Sequence, residues 1–305
     1  MSINWQQFFR AVILFFFFLF ILRLHQSGEL LKLINPKYET LSKIGGAFLF
    51  LLLFVAQLSR IFSTPMKTKC HHTTHHHDHG DQPMNWKKGI NYLILIGPLI
   101  TGFVFPLVSL NASIAQNKGV TMILTNQEGN SSPLQGEVKQ SQQELPVEEY
   151  EIDPNVYKNT ISKPDYDELK VTLVNQSHID MKDPLFATIY QEITENPESF
   201  QGKEISLTGF VFRESSFHPN QLVLGRFLIT HCVADASLIG FLTEFDEGLI
   251  VKDDTWMRIT GKIKITNYQG FQIPLIEVSQ KEIVEAPIQQ YVYPLTVEIL
   301  GPSGE

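Results

Sequence analysis

Cysteine is nearly absent from this chain, and basic side chains are scarce in its second part. Cys70 and Cys232 are the only cysteines among 305 residues, so no disulfide framework is implied. Residues 119–305 carry 13 Lys and Arg against 28 Asp and Glu, whereas residues 1–118 carry 11 against 4. Because an acidic domain repels phosphate, no nucleic acid is expected as a partner.

The sequence also lacks a recognisable catalytic constellation. It shows no complete nucleophilic triad, no phosphate-binding loop and no paired-carboxylate motif. We therefore expect that the chain is not an enzyme.

Charged residues are missing from the long stretch 90–110, and this absence indicates a membrane helix. About 20 consecutive apolar residues cross the hydrocarbon core of a bilayer. Two apolar stretches precede it, so we predict a membrane α-helical domain at 1–115 that contacts the lipid bilayer. Its three transmembrane helices are expected at about 3–24, 44–62 and 90–110. A buried core helix is the alternative for the third stretch.

The first apolar stretch fits either an uncleaved anchor or a signal peptide. Its core at 11–22 is followed by Arg23, Leu24 and His25 rather than by the small residues of a cleavage site, which favours the anchor. Six Lys and Arg lie on the N-terminal side of the membrane and five on the other side. This bias predicts a multi-pass membrane protein whose C-terminal domain lies outside the cytoplasm.

Six of the ten histidines lie in one loop, 70–81, between the second and third predicted helices. Neutral imidazole is a common ligand for zinc, copper and nickel, and a thiol and carboxylates add further donors. So dense a run offers many interchangeable ligand sets, and we predict that it binds zinc or another divalent transition metal. A pH-sensitive polar loop or an uninformative insert are the alternatives. The candidate ligands are Cys70, His71, His72, His75, His76, His77, Asp78 and His79.

The composition changes again after the membrane domain. Residues 116–163 are rich in polar residues and prolines, which is typical of a flexible acidic linker. Residues 164–290 are predicted to form a soluble, mainly-β domain with one helix at 184–196, and 291–305 to form a C-terminal tail. Five strands with one helix favour an OB-like barrel. Strands are expected at 169–174, and then at 204–213, 221–233, 238–243, 255–266 and 271–278.

Several short segments of the C-terminal half form a distinctive set. They are Gln201-Gly202-Lys203, Leu207-Thr208-Gly209-Phe210-Val211, the run from Arg226 to Ala236, Trp256 with Thr260-Gly261, and Tyr291-Val292-Tyr293. Together they resemble the YcgQ-like family of bacterial membrane proteins. The resemblance extends to the N-terminal helices and the His-rich loop. It implies a permease subunit that works beside a separate polytopic permease.

A possible second site lies within one of these segments, at His231, Cys232 and Asp235. Adjacent side chains of a flat strand point to opposite faces, so His231 and Cys232 can share a ligand only at a bulge or a strand end. A metal or ligand site is one interpretation, and a structural cysteine beside a turn-capping aspartate is the other. The resemblance implies Cys-Cys at this place, whereas this chain has His-Cys.

Two functions follow from these observations. The first is a membrane-anchored accessory subunit of a permease, with divalent-metal binding in the His-rich loop. The alternative is an envelope-facing binding module that recognises a protein, peptide or saccharide and has no role for metal.

Overall fold

The computed structural model describes residues 5–61, 86–105, 107–118, 160–268 and 270–298. Its contacts divide the chain into two compact units. The first unit comprises residues 1–33 and 38–108, and the second comprises residues 34–37 and 109–305. The His-rich loop 70–81 lies outside the described residues.

The first unit is entirely helical over its described residues. Two of its helical stretches, Gln7–Gln26 and Pro36–Leu58, are long and apolar enough to cross a membrane, judged by length and composition. A third apolar helix, Gly89–Val104, is shorter. The helices are α1 Trp5–Gln26, α2 Glu39–Ser42, α3 Leu49–Ile61 and α4 Trp86–Val104, with helical turns at Glu29–Lys32, Pro36–Tyr38 and Lys43–Phe48.

Aromatic side chains pack α1 against both α3 and α4. Phe17 stacks on Phe50 with ring centroids 5.3 Å apart, and Phe20 meets the edge of Phe103 at 5.4 Å. A β-carbon on Gly102 would lie 2.7 Å from the ring of Phe20, so glycine permits the close approach of α1 and α4. Aromatic pairs of this geometry add to the energy of apolar burial.

The outer faces of α3 and α4 carry large apolar side chains that stay exposed in the part of the chain that the structure describes. Leu52, Leu93 and Ile94 are 50%, 68% and 65% exposed, and many neighbouring leucine, isoleucine and valine side chains are exposed as well. A soluble monomer rarely presents so large a continuous apolar surface to water. These faces therefore require an apolar environment.

The second unit is a mainly-β domain with short helices. Its helices are α5 Ala112–Lys118, α6 Lys163–Asn175, α7 Phe186–Glu195 and α8 Pro197–Phe200. Its strands are β1 Thr160–Ser162, β2 His178–Asp180, β3 Glu204–Phe212, β4 Gln221–Leu228, β5 Ser237–Glu244, β6 Trp256–Tyr268, β7 Phe271–Ile283, β8 Tyr291–Val292 and β9 Thr296–Glu298.

Five of these strands pair in a ring. β3 pairs antiparallel with β4 and with β6, β4 antiparallel with β5, β5 parallel with β7, and β7 antiparallel with β6. Following the pairs from β3 through β4, β5, β7 and β6 leads back to β3. Gly209 lies close to the backbone of Gly225 where β3 pairs with β4. A β-carbon on Gly209 would lie 2.7 Å from the Gly225 carbonyl oxygen. Glycine is thus needed where the ring closes.

The interior of the domain has two groups of buried apolar side chains. The first lies beneath α7 and includes Phe186, Ile189 and Ile193 together with alternate residues of β3. The second contains Phe210, Phe212 and Phe227 and reaches Tyr291 and Tyr293. We name the first group the helix-covered core and the second group the aromatic core.

The five long strands expected from the sequence are confirmed, although two of them differ at one end: β4 ends earlier than expected, at Leu228, and β7 ends later, at Ile283. The expected helix at 184–196 is confirmed as α7, preceded by a 3₁₀ turn at Asp183–Leu185. The domain contains further helices besides this one. Residues 291–298, expected to belong to a tail, form two strands, and the expected linker ends in β1.

The strand predicted at 169–174 is wrong, because these residues belong to helix α6. The hydroxyl of Ser162 accepts a hydrogen bond from the backbone N–H of Asp165, and Pro164 occupies the first turn. At the other end, the ammonium of Lys203 binds the carbonyl oxygens of Leu173 and Val174. These caps outweigh the β-forming tendency of the valines and threonine in the segment.

Candidate functional site

The residues of the predicted second site lie together in one turn. β4 ends at Leu228, and a 3₁₀ turn at Val233–Asp235 follows. The Asp235 carboxylate accepts hydrogen bonds from the backbone N–H groups of His231, at 2.8 Å, and Cys232, at 3.3 Å. It also lies 3.0 Å from Nδ1 of His231. Asp235 therefore caps the turn and orients the imidazole of His231.

The chemistry of this turn is limited by how its donors are used. Three hydrogen bonds already occupy the Asp235 carboxylate, and Cys232 is half-buried with its sulfur facing the turn backbone. Among the residues that the structure describes, no group of three or more His, Cys, Asp or Glu side chains is placed to hold a metal ion. A metal site at this turn stays a prediction, and so does metal binding by loop 70–81.

A short segment from the N-terminal half completes the surroundings of this turn. Asn35 is 4% exposed, and its side-chain amide donates to the carbonyl oxygens of Ile229, at 3.2 Å, and Thr230, at 3.1 Å. Its backbone N–H donates to the carbonyl of His231 at 2.9 Å, and Ile34 forms an antiparallel bridge with Cys232. Residues 34–37 are thus bound into the C-terminal domain by hydrogen bonds.

A second segment from the N-terminal half docks on the same domain. The backbone N–H of Leu110 donates to the hydroxyl of Tyr291 at 2.8 Å, and that of Ala112 donates to the Asp254 carboxylate at 2.5 Å. Ala112 and Ala115 are buried in the aromatic core. Asp254 has a φ of 66°, which is strained for a residue other than glycine and is held by these contacts.

The most deeply buried charge in the described chain belongs to Arg226 on β4, which is 1% exposed. Its guanidinium pairs with the Asp183 carboxylate and donates to the carbonyl oxygens of Gln289 and Gln290. Phe186 and Trp256 lie against it at 5.7 and 5.6 Å, within the range of a cation–π contact.

Arg226 joins the start of α7, the strand ring and the segment before β8. No side-chain cap bond is made at the start of this helical segment, and the Asp183 carboxylate binds Arg226 instead. In the sequence, the only sign of this buried ion pair is a single arginine within an apolar strand. We interpret the pair as structural, because the guanidinium of Arg226 bonds to groups of the same domain.

Two tyrosines of the domain have strongly shifted pKa values. Burial raises the pKa of Tyr190 to about 12, against the smaller opposing effect of a hydrogen bond with Thr194. Burial likewise raises the pKa of Tyr293 to about 12, although a hydrogen bond with Gln289 and the charge of Arg226 oppose the shift. Both hydroxyls therefore stay protonated at physiological pH.

The structure thus defines a class: apolar helices capable of crossing a membrane, joined to a mainly-β domain. The chain belongs to the DUF1980 family, since the DUF1980 N-terminal domain matches residues 9–121 and the DUF1980 C-terminal domain matches residues 156–294. The resemblance to the YcgQ-like family is confirmed.

Two relatives are similar over almost their whole length. UPF0703 protein YcgQ of Bacillus subtilis (strain 168) is 30% identical over 299 residues, covering 93% of this chain and 99% of the relative. A protein of Streptococcus mutans serotype c, named as a proposed subunit of a two-component membrane permease complex, is 26% identical over 291 residues. That match covers 93% of this chain and 98% of the relative.

Proposed function

We propose that this protein is a membrane-anchored accessory subunit of a permease, acting beside a separate polytopic permease in the bacterial plasma membrane. The observation that carries the proposal is the match, over nearly the whole chain, to the Streptococcus mutans relative that is named as a subunit of a two-component membrane permease complex. The uncovered apolar faces of α3 and α4 support it, because lipid and a membrane partner both supply an apolar environment. The proposal assigns no catalytic role to the chain.

Co-purification tests this proposal. The tagged chain, expressed from its own locus and solubilised in detergent, should recover one polytopic transport protein in near-equal amount. The same chain with Leu93→Arg and Ile94→Arg, which places charge on the exposed face of α4, should recover less of it. Recovery of the chain alone under mild detergent conditions would contradict a subunit role.

The proposal includes three transmembrane helices. Residues 34–37 and 109–298 belong to one compact unit, so the loop after α1 and the C-terminal domain lie on the same side of a membrane. The chain must therefore cross an even number of times between residues 37 and 109. If α3 crosses, α4 crosses as well, although its apolar part, Gly89–Val104, is short. Loop 70–81 is then opposite the C-terminal domain.

The proposal also includes an OB-like barrel for the C-terminal domain. Its support is the ring of strand pairs, in which the first strand pairs with the second and fourth, and the third pairs parallel with the fifth. This is the order of a five-stranded Greek-key barrel. Helix α7 covers one group of its buried residues.

The small Lys and Arg bias supports a C-terminal domain outside the cytoplasm and a His-rich loop inside it. Single cysteines test this arrangement in a background with Cys70→Ser and Cys232→Ser. Ser215→Cys, in the exposed β3–β4 loop, should react with a membrane-impermeant maleimide in intact spheroplasts. Thr73→Cys, in the His-rich loop, should react only after permeabilisation.

The two reporters serve as controls for each other. Labelling of Thr73→Cys but not Ser215→Cys in intact spheroplasts would reverse the orientation. Labelling of both would contradict the crossing of α3 and α4 as a pair.

The His-rich loop is proposed to bind zinc or a similar divalent metal through the six imidazoles of 70–81. The full chain in detergent should bind Zn²⁺ at pH 7.4 in isothermal titration. Binding should weaken as the pH falls through about 6.5, because imidazole must be neutral to bind metal and gains a proton there. Replacing the six histidines of the loop with serine should abolish most of the heat.

A matched variant distinguishes the loop from the second predicted site. It carries serine at His178, His218 and His231, all of which are exposed and outside the loop. This variant should bind zinc as the unaltered chain does. Equal heats from the loop variant and the unaltered chain would remove the metal role from 70–81.

A further inference from the structure

Two loops at one end of the strand ring are held together by Tyr268. Its hydroxyl lies 2.8 Å from the hydroxyl of Ser216 in the β3–β4 loop and donates to the Glu214 carboxylate at 3.5 Å. Its ring meets the ring of Phe217 edge-on, with centroids 5.8 Å apart. The β3–β4 loop and the β6–β7 turn therefore form one continuous surface.

Three aromatic side chains line this surface, and we name Phe217, Tyr268 and Phe271 the aromatic surface. Each packs against the aromatic core and is half-buried, so none of the three side chains is fully enclosed by the domain. Tyr268 and Phe271 are paired across the β6–β7 turn, which places their side chains on the same face of the hairpin.

A hydrogen bond connects the two strands next to these rings. Gly270 has a φ of 91°, a conformation that favours glycine, and its N–H donates to the side chain of Asn267 at 3.1 Å. This bond ties the residue before Phe271 to the residue before Tyr268.

Polar groups border the rings. Together with the acidic charge of the C-terminal part of the chain, they indicate which class of ligand fits. The carboxylate of Glu214 accepts hydrogen bonds, and the hydroxyls of Ser216 and Tyr268 both donate and accept. Residues 119–305 carry 28 acidic against 13 basic side chains, so a phosphate-rich ligand is disfavoured. A neutral ligand that has both apolar faces and hydroxyl groups fits this surface.

We propose that the aromatic surface binds sugar rings of a neutral oligosaccharide. The C–H faces of the sugars stack on Phe217, Tyr268 and Phe271, and the sugar hydroxyls bond to Glu214 and Ser216. This inference rests on the proposed OB-like barrel, because in that fold the loop after the first strand and the loop between the fourth and fifth strands bind oligosaccharides or oligonucleotides. The acidic charge favours the first of these two ligands.

The test uses the full chain in phospholipid nanodiscs, since sugar-based detergents would compete for the surface. Chitohexaose, cellohexaose and maltohexaose are titrated separately and followed by calorimetry. At least one should show saturable binding that is weakened about tenfold or more in Phe217→Ala and in Tyr268→Ala. Tyr268→Phe keeps the ring and loses the hydroxyl. Its affinity for the sugar should therefore fall between that of the unaltered chain and that of Tyr268→Ala.

Tyr166→Ala is the matched control, because this tyrosine is also half-buried on the domain but lies on α6, away from the aromatic surface. Its affinity should equal that of the unaltered chain. Phe217→Leu and Tyr268→Leu, which preserve much of the apolar packing, replace the alanine variants if those lose the folded circular-dichroism spectrum.

Binding of none of the three hexasaccharides overturns the inference, and so does equal binding by the aromatic-surface variants and the unaltered chain. Tighter binding of a twelve-residue oligothymidylate than of every sugar also overturns it. None of these outcomes affects co-purification or cysteine labelling, so a failure here is distinguishable from a failure of the permease-subunit role.

Discussion

Replacing Arg226 with alanine is expected to lower the free energy of unfolding of the C-terminal domain by about 3–5 kcal/mol, as for other buried ion pairs that lose one partner. The change removes the donor to the Asp183 carboxylate and to the carbonyl oxygens of Gln289 and Gln290. It also opens a cavity beside Trp256. Because the Asp183 side chain is 36% exposed, water replaces part of the lost interaction, and the lower half of the range is expected.

Urea denaturation of the full chain in detergent measures this effect. Replacing Trp5 and Trp86 with phenylalanine leaves Trp256 as the single tryptophan, so its fluorescence reports on the β domain. Arg258→Ala is the matched control, because that side chain is 60% exposed and pairs with Glu282 at 3.6 Å. Its loss should cost less than about 1 kcal/mol. Equal losses in the free energy of unfolding for the two substitutions would contradict the prediction, because the buried Arg226 would then stabilise the domain no more than the exposed Arg258.

The strands of the C-terminal domain were predictable because their signal is local. In β3, Ile205 and Leu207 are buried, and the residues that follow each of them, Ser206 and Thr208, are partly exposed. This is the alternation that the sequence indicates. Glycines and asparagines at the ends of the strands marked the turns. A pattern with a period of two residues requires no knowledge of distant contacts.

Helix α6 shows where local patterns fail. Leu169, Val171 and Leu173 alternate as in a strand, but the helix is stabilised by a cap at Ser162 and by Lys203, which lies 30 residues beyond Leu173. No single-sequence pattern contains the second contact. The segment was therefore assigned by propensity alone, and the tertiary contact reversed the assignment.

The candidate sites divide in the same way. His231, Cys232 and Asp235 were found because they are close in sequence, and the structure brings them into one turn. The contact of Asn35 with Thr230 spans 195 residues, and nothing in the sequence indicated that the loop after α1 contributes residues to the β domain. The aromatic surface likewise depends on Tyr268 meeting a loop 52 residues earlier.

A soluble chain that begins at residue 160 is expected to be less stable than one that begins at residue 109. The longer chain keeps the segment that docks through Leu110, Ala112 and Ala115. Each of its two backbone hydrogen bonds contributes roughly 0.5–1.5 kcal/mol. Burial of its apolar side chains adds about 25 cal/mol for each Å² removed from water. Together these terms predict a difference on the order of 2–4 kcal/mol in the free energy of unfolding.

A third chain, beginning at residue 119, separates the docking segment from residues 119–159. It should unfold at the same urea concentration as the chain from residue 160, because both lack the contacts to Tyr291 and Asp254. In the full chain, Ala112→Asp should be strongly destabilising because it buries a carboxylate in the aromatic core, whereas Ser113→Asp at the exposed neighbouring position should be nearly neutral. Identical midpoints for all three soluble chains would mean that 109–118 is not part of the domain's folding unit.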